Sequence, residues 1–126
     1  MAEYLYSKDH EWALPDGNRV KVGISNFAQQ ELGDIAYVEL PEVGLVVEQG
    51  EATCSIDSLK ASSEIFAPVS GTVIEVNETL RQEENCGIVN EDPFGDGWIF
   101  ALEMRDSSQL AELMSEEDYS RYTEQL

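Results

Sequence analysis

Lys60 is the side chain in this sequence whose type and setting most readily do chemistry. It lies in Cys54-Ser55-Ile56-Asp57-Ser58-Leu59-Lys60-Ala61-Ser62-Ser63-Glu64-Ile65-Phe66, between two stretches that read as β-strands. The other lysines, Lys8 and Lys21, are distant in the chain, so no second amine competes nearby. Its neighbours Ser58, Ala61, Ser62 and Ser63 are small or polar and leave the amine uncrowded. An exposed primary amine on a hairpin tip is a good substrate for acylation by a modifying enzyme. From spacing alone an ordinary exposed loop lysine is the simpler reading; the sharper one is a prosthetic arm on Lys60, with the protein as its carrier.

Little else in the chain offers reactive chemistry. His10 is the single histidine, and Cys54 and Cys86 form neither a C-x-x-C pair nor a zinc-like array with it. His10 has no serine or cysteine partner at motif spacing, which favours a hydrogen-bonded structural role over proton transfer. The glycines form no phosphate-cradling pattern. No catalytic residue and no metal site are therefore expected, and a stand-alone enzyme is poorly supported. The formal net charge is −19, with 26 acidic side chains against seven Lys plus Arg. Such a field disfavours nucleic acid and anionic membranes and favours partners with basic docking surfaces. No apolar run approaches membrane-spanning length, and the start of the chain lacks a secretory pattern. The expected compartment is a bacterial-type cytoplasm, or a mitochondrion if a transit peptide has been removed. Two scattered thiols agree with a reducing compartment.

The elements that must position Lys60 follow from periodicity and punctuation. Tyr4 to Leu14 is rich in β-favouring aromatics and ends at the turn signal Pro15-Asp16-Gly17-Asn18; Arg19 to Ile24 alternates as a strand. Ser25 or Asn26 caps a short helix that Gly33 stops. Further strands are expected over 34–40, 45–47, 72–76 and 98–104, with Leu80 to Gly87 as an irregular acidic surface loop. In the segment before Lys60, Ala52, Cys54 and Ile56 share one face and Thr53, Ser55 and Asp57 the other, which makes Cys54 a core residue. Trp12 and Trp98 read as core aromatics. Leu110, Leu113 and Met114 form an apolar stripe, and Ser115-Glu116-Glu117-Asp118 reads as the capped start of a last helix. The length fits one domain over residues 1–126, mainly β, a sandwich or flattened barrel with a C-terminal helical segment at about 106–126.

In order along the chain, His10-Glu11-Trp12, Val22-Gly23-Ile24-Ser25, Leu32-Gly33-Asp34-Ile35, Val38-Glu39-Leu40-Pro41 and Ser58-Leu59-Lys60-Ala61 form a collinear set. Ala67-Pro68-Val69-Ser70-Gly71, Glu75-Val76-Asn77, Asn90-Glu91-Asp92-Pro93 and Gly97-Trp98 continue it. Each motif is weak alone. Together they resemble the H protein family of the glycine cleavage system over nearly the whole chain. The resemblance implies a hybrid barrel-sandwich, the lipoyl and biotinyl carrier architecture, with lipoic acid amide-linked to Lys60. Leu59 and Ala61 stand where biotin carriers usually have methionines. Ser58-Leu59 likewise differs from the aspartate that precedes the lysine in 2-oxoacid dehydrogenase domains.

By the family's cycle, the partners implied are a glycine decarboxylase (P protein), an aminomethyltransferase (T protein), a dihydrolipoyl dehydrogenase (L protein) and a lipoate ligase or lipoyltransferase. The resemblance also implies a cleft that shelters the loaded arm and pairs its amine with carboxylates. By alignment these are Asp9, Glu11 and Glu64, with Asp9 standing where relatives usually have serine. Without the resemblance, Glu11 reads equally well as a surface carboxylate. Two other positions depart from the common pattern. Asp57-Ser58-Leu59 replaces Glu-Ser-Val before the lysine, and Cys86 replaces a proline, which would loosen its loop. These departures leave open a paralogue that carries or donates lipoyl groups in lipoyl relay or sulfur metabolism.

Overall fold

The computed structural model describes residues 3–126. Among the described residues nine strands form two antiparallel sheets, joined by short helical segments. The first sheet has the order β1-β2-β3-β9-β8-β5, and the second is β4-β6-β7. Their ranges are β1 Leu5–Tyr6, β2 Glu11–Asp16, β3 Arg19–Ile24, β4 Ile35–Glu39, β5 Val46–Val47, β6 Ala52–Ser58, β7 Ser62–Phe66, β8 Gly71–Val76 and β9 Phe100–Met104. The helices are α1 Asn26–Leu32, α2 Ile88–Glu91 and α3 Glu116–Glu124.

Alternation along the strands sorts side chains into two cores. Val20, Val22, Val38, Ile56, Ile65, Val73 and Leu102 meet in the main one, and Cys54 joins them as expected. Tyr6, Trp12 and Tyr119 form a smaller aromatic core, with Tyr4, Phe94, Trp98 and Tyr122 packed around it. Trp12 is fully buried and donates its indole N–H to the Pro93 carbonyl at 2.9 Å. Burying a side chain of this size contributes on the order of 5 kcal/mol. Its cross-strand partner is Gly23, and a Cβ there would stand 2.6 Å from the indole ring. The missing side chain lets the ring lie against β3.

Several elements differ from the sequence expectation, each for a local reason. Pro15 and Asp16 belong to β2, paired with Val20 and Arg19, so the turn narrows to Gly17 (φ 63°) and Asn18. The aromatic N-terminal run breaks into β1 and β2 because Ser7 to His10 form a turn, in which the His10 N–H donates to Ser7. A bulge between Ala52 and Cys54 reverses the alternation at the start of β6, burying Thr53 and exposing Ala52. The stretch 80–87 is not a free surface loop. Two 3₁₀ turns, Glu78–Arg81 and Glu83–Asn85, bury Leu80 and Cys86 completely. The Cys86 thiol donates to the Leu80 carbonyl at 3.4 Å, so the residue that departs from proline fastens this loop. Trp98 is only half-buried and lies outside the strand, with the Lys21 ammonium 4.8 Å above its ring.

The C-terminal segment docks by side-chain packing and by backbone pairing. A 3₁₀ stretch, Ser107–Glu112, presents Leu110 to the main core, as does Leu113 just after it. Met114 exchanges two backbone hydrogen bonds with Tyr6 before Ser115 caps α3. No helix of the described residues is long and apolar enough to cross a membrane.

Candidate functional site

Lys60 occupies the three-residue tip joining β6 and β7. Ser58 locks that tip. Its backbone N–H donates to the Ala61 carbonyl at 2.8 Å, while its hydroxyl accepts from the N–H groups of Ala61 at 3.1 Å and Lys60 at 3.3 Å. Below, Ile56 and Ile65 are buried and anchor the hairpin in the core. The Leu59 N–H reaches across to the Asp34 carbonyl at 3.0 Å. The tip is therefore a braced loop holding an exposed side chain.

All four arginines pair with carboxylates: Arg19 with Glu75, Arg81 with Glu78, Arg105 with Glu48, and Arg121 with Glu117 and Asp118. Lys60 makes no ion pair among the described residues. Its methylene stem lies over Gly33, where a Cβ would meet Lys60 Cε at 3.3 Å. Gly33 has φ 79°, a conformation other residues rarely adopt, so glycine serves both the end of α1 and the passage of the stem.

A groove of ≈ 310 Å³ is lined by Asp9, His10, Phe27, Ala28, Glu31, Leu32, Ser63 and Leu126. Ser63 brings β7 to its wall, and Leu32 immediately precedes Gly33. Of the three expected carboxylates, Asp9 lines this groove. Glu64 is exposed, and the pleat of β7 turns it to the face opposite Ser63. Glu11 lies deeper, only 2% exposed, and is not a surface carboxylate. Its Oε1 meets the Ser7 hydroxyl at 2.5 Å and its Oε2 accepts the Phe66 N–H at 3.2 Å. Burial pushes its pKa from 4.5 to about 7, with Asp9 adding to the rise and the bonds to Ser7 and Phe66 opposing it. Glu11 thus ties β2 to the hairpin as a carboxyl held close to neutrality.

The far wall is built by contacts that sequence spacing did not reveal. His10 adopts φ 72°, which directs its ring toward Phe27 (centroids 4.8 Å apart) and places Nδ1 2.8 Å from the Tyr119 hydroxyl. That hydroxyl also meets Ser25 Oγ at 2.6 Å, and Ser25 caps α1 by accepting the Ala28 N–H. Burial lowers the His10 pKa, more than Asp9 and Glu31 raise it, in keeping with a neutral structural ring. The two thiols are buried as well, and burial pushes Cys54 up to about 12. Among the described residues no cluster of histidine, cysteine, aspartate or glutamate could hold a metal. A larger hollow of ≈ 460 Å³, lined in part by Asn77, Glu84, Glu91 and Asp96, shares no residue with the hairpin. Asn77 spends its amide on the Asp96 and Trp98 carbonyls, so that hollow offers no directed donor from it.

Two antiparallel sheets and a C-terminal helix place this molecule in the barrel-sandwich-like class of lipoyl carriers. The family model described as "Glycine cleavage H-protein" matches residues 4–126, and the chain belongs to that family. A glycine cleavage system H protein from Thermus thermophilus is 53% identical over 120 residues, covering 95% of this chain and 92% of that one. A probable glycine cleavage system H protein from Thermococcus gammatolerans is 54% identical over 124 residues, covering 96% and 90%. The crystal structure of a glycine cleavage system H protein from Mycobacterium marinum superposes with a TM-score of 0.85 at 34% identity, covering 96% of each chain.

Proposed function

We propose that this chain is a non-catalytic lipoyl carrier of glycine cleavage, modified on Lys60. In this role it takes an aminomethyl group from glycine decarboxylase to aminomethyltransferase and passes electrons to dihydrolipoyl dehydrogenase. The observation that carries the reading is the exposed Lys60 amine, free of ion pairs among the described residues, on a tip braced by Ser58. The setting fits the group: a lipoate ligase or lipoyltransferase can reach the amine, and a groove with apolar Phe27, Ala28 and Leu32 lies beside it. Lipoic acid in amide linkage supplies a reversible disulfide at the end of an arm that reaches on the order of 10–15 Å.

The chain's own residues supply position and shelter. Ser58 fixes the base of the arm, and the His10–Tyr119–Ser25 contacts hold the groove wall. Asp9 on that wall is the carboxylate proposed to receive an ammonium and limit its contact with water, while Glu64 on the opposite face of β7 and Glu11 buried beneath do not reach the groove.

The test is reconstitution with a pyridoxal-phosphate glycine decarboxylase. The lipoate-loaded chain is expected to stimulate exchange of labelled bicarbonate into glycine saturably. Its apparent KM should rise severalfold between about 0.05 and 0.3 M salt, because the −19 surface is screened from a basic partner. A flat salt response would remove the charge-docking element. A fully lipoylated chain that fails to stimulate exchange would overturn the glycine cleavage role in favour of lipoyl donation to another pathway.

A further inference from the structure

We propose that Asn90 is a positioning residue for Lys60, a role that rests on reading Lys60 as the attachment lysine. Asn90 lies in α2, thirty positions from the hairpin tip by sequence number, yet its amide is committed to the turn that supports the tip. Its Oδ1 accepts the Ile35 N–H at 2.8 Å, and its Nδ2 donates to the Gly33 carbonyl and to Gln29 Oε1, each at 2.9 Å. These partners bracket the α1–β4 connection, Gly33-Asp34. The same connection touches the arm's base twice. The Asp34 carbonyl accepts the Leu59 N–H, and the Lys60 stem crosses bare Gly33. Thus one side chain holds the ledge, and the ledge holds the residues on which the arm pivots. The amide orientation is fixed by Ile35, which needs an acceptor, so both N–H donors face the turn.

Asn90→Asp separates this role from general packing. It keeps an acceptor for Ile35 but exchanges the two donors for a carboxylate facing two oxygens. In the unmodified protein, hydrogen exchange of the Leu59 N–H should quicken about tenfold, while Ile35 and the remote Ile99 N–H stay protected. With lipoate ligase and ATP, the KM for the chain should rise about threefold with kcat unchanged, because fewer tips present the amine correctly. Gln29→Ala removes one partner more gently and should give smaller changes of the same kind. Unchanged Leu59 exchange in both variants would overturn the proposal. So would quickening spread equally to Ile99, which marks loss of packing alone. If the wild-type chain is not a ligase substrate, the reading of Lys60 fails; the exchange pattern then decides whether Asn90 still holds the ledge.

Discussion

Lys60→Arg is expected to reduce lipoate incorporation and decarboxylase-dependent exchange to background while leaving the fold intact. Arginine preserves the positive charge and much of the length, so any role resting on charge alone would survive. Its guanidinium stays protonated in proteins and does not serve as the acylated amine. The structural cost is small because Lys60 is exposed and forms no ion pair among the described residues. Surface changes of this kind usually alter stability by less than about 0.5 kcal/mol, so the melting temperature should move by no more than about 2 °C. The measurement pairs a thermal melt with the reconstituted exchange assay. Retained activity in a folded Lys60→Arg protein would contradict the account.

Glu11→Gln is expected to make the protein more stable at pH 8 by about 3 kcal/mol and to leave it nearly unchanged at pH 4.5. The folded carboxyl binds its proton more tightly than the unfolded one, since burial raises its pKa from 4.5 to about 7. The associated stability is fully present below pH 4.5, is lost as pH rises, and is gone above about 7. Asp9, Cys54 and Tyr119 are the titratable neighbours, and none supplies a cation. Glutamine reproduces the neutral acid: its carbonyl accepts the Phe66 N–H and its amide donates to Ser7 Oγ. Repulsion among the surface carboxylates also varies with pH, but the variant retains it. The informative quantity is the difference between the two proteins in urea melts from pH 4.5 to 8. Parallel curves would show that folding does not raise the Glu11 pKa.

The parts of the fold set by short-range pattern were legible in the sequence. Alternation located the strands around Lys60 and placed Cys54 in the core. Ser25, Gly33 and Ser115 marked the helix ends where the structure has them. The bulge that buries Thr53 has no signature in the side-chain order, because it depends on how β6 registers against β7. The 3₁₀ turns over 78–85 resembled loop for a related reason: their acids face solvent while only Leu80 and Cys86 turn inward. At the site, Lys60 was singled out by its setting together with the collinear motifs around it, whereas the burial of Glu11 had no signature in the sequence. Glu11 lies between Ser7, four residues away, and Phe66, fifty-five away, and only the folded chain joins them. The contacts of Tyr119 and Asn90 were not legible for the same reason, as their partners in the groove wall and the ledge are far away in sequence.

The central claim is that Lys60 carries the arm, and peptide mass spectrometry of the protein purified from its native host tests it most directly. The account predicts a lipoyl increment on the Lys60 peptide, absent from the peptides of Lys8 and Lys21. An unmodified Lys60 in cells whose other lipoyl proteins are fully loaded would contradict it.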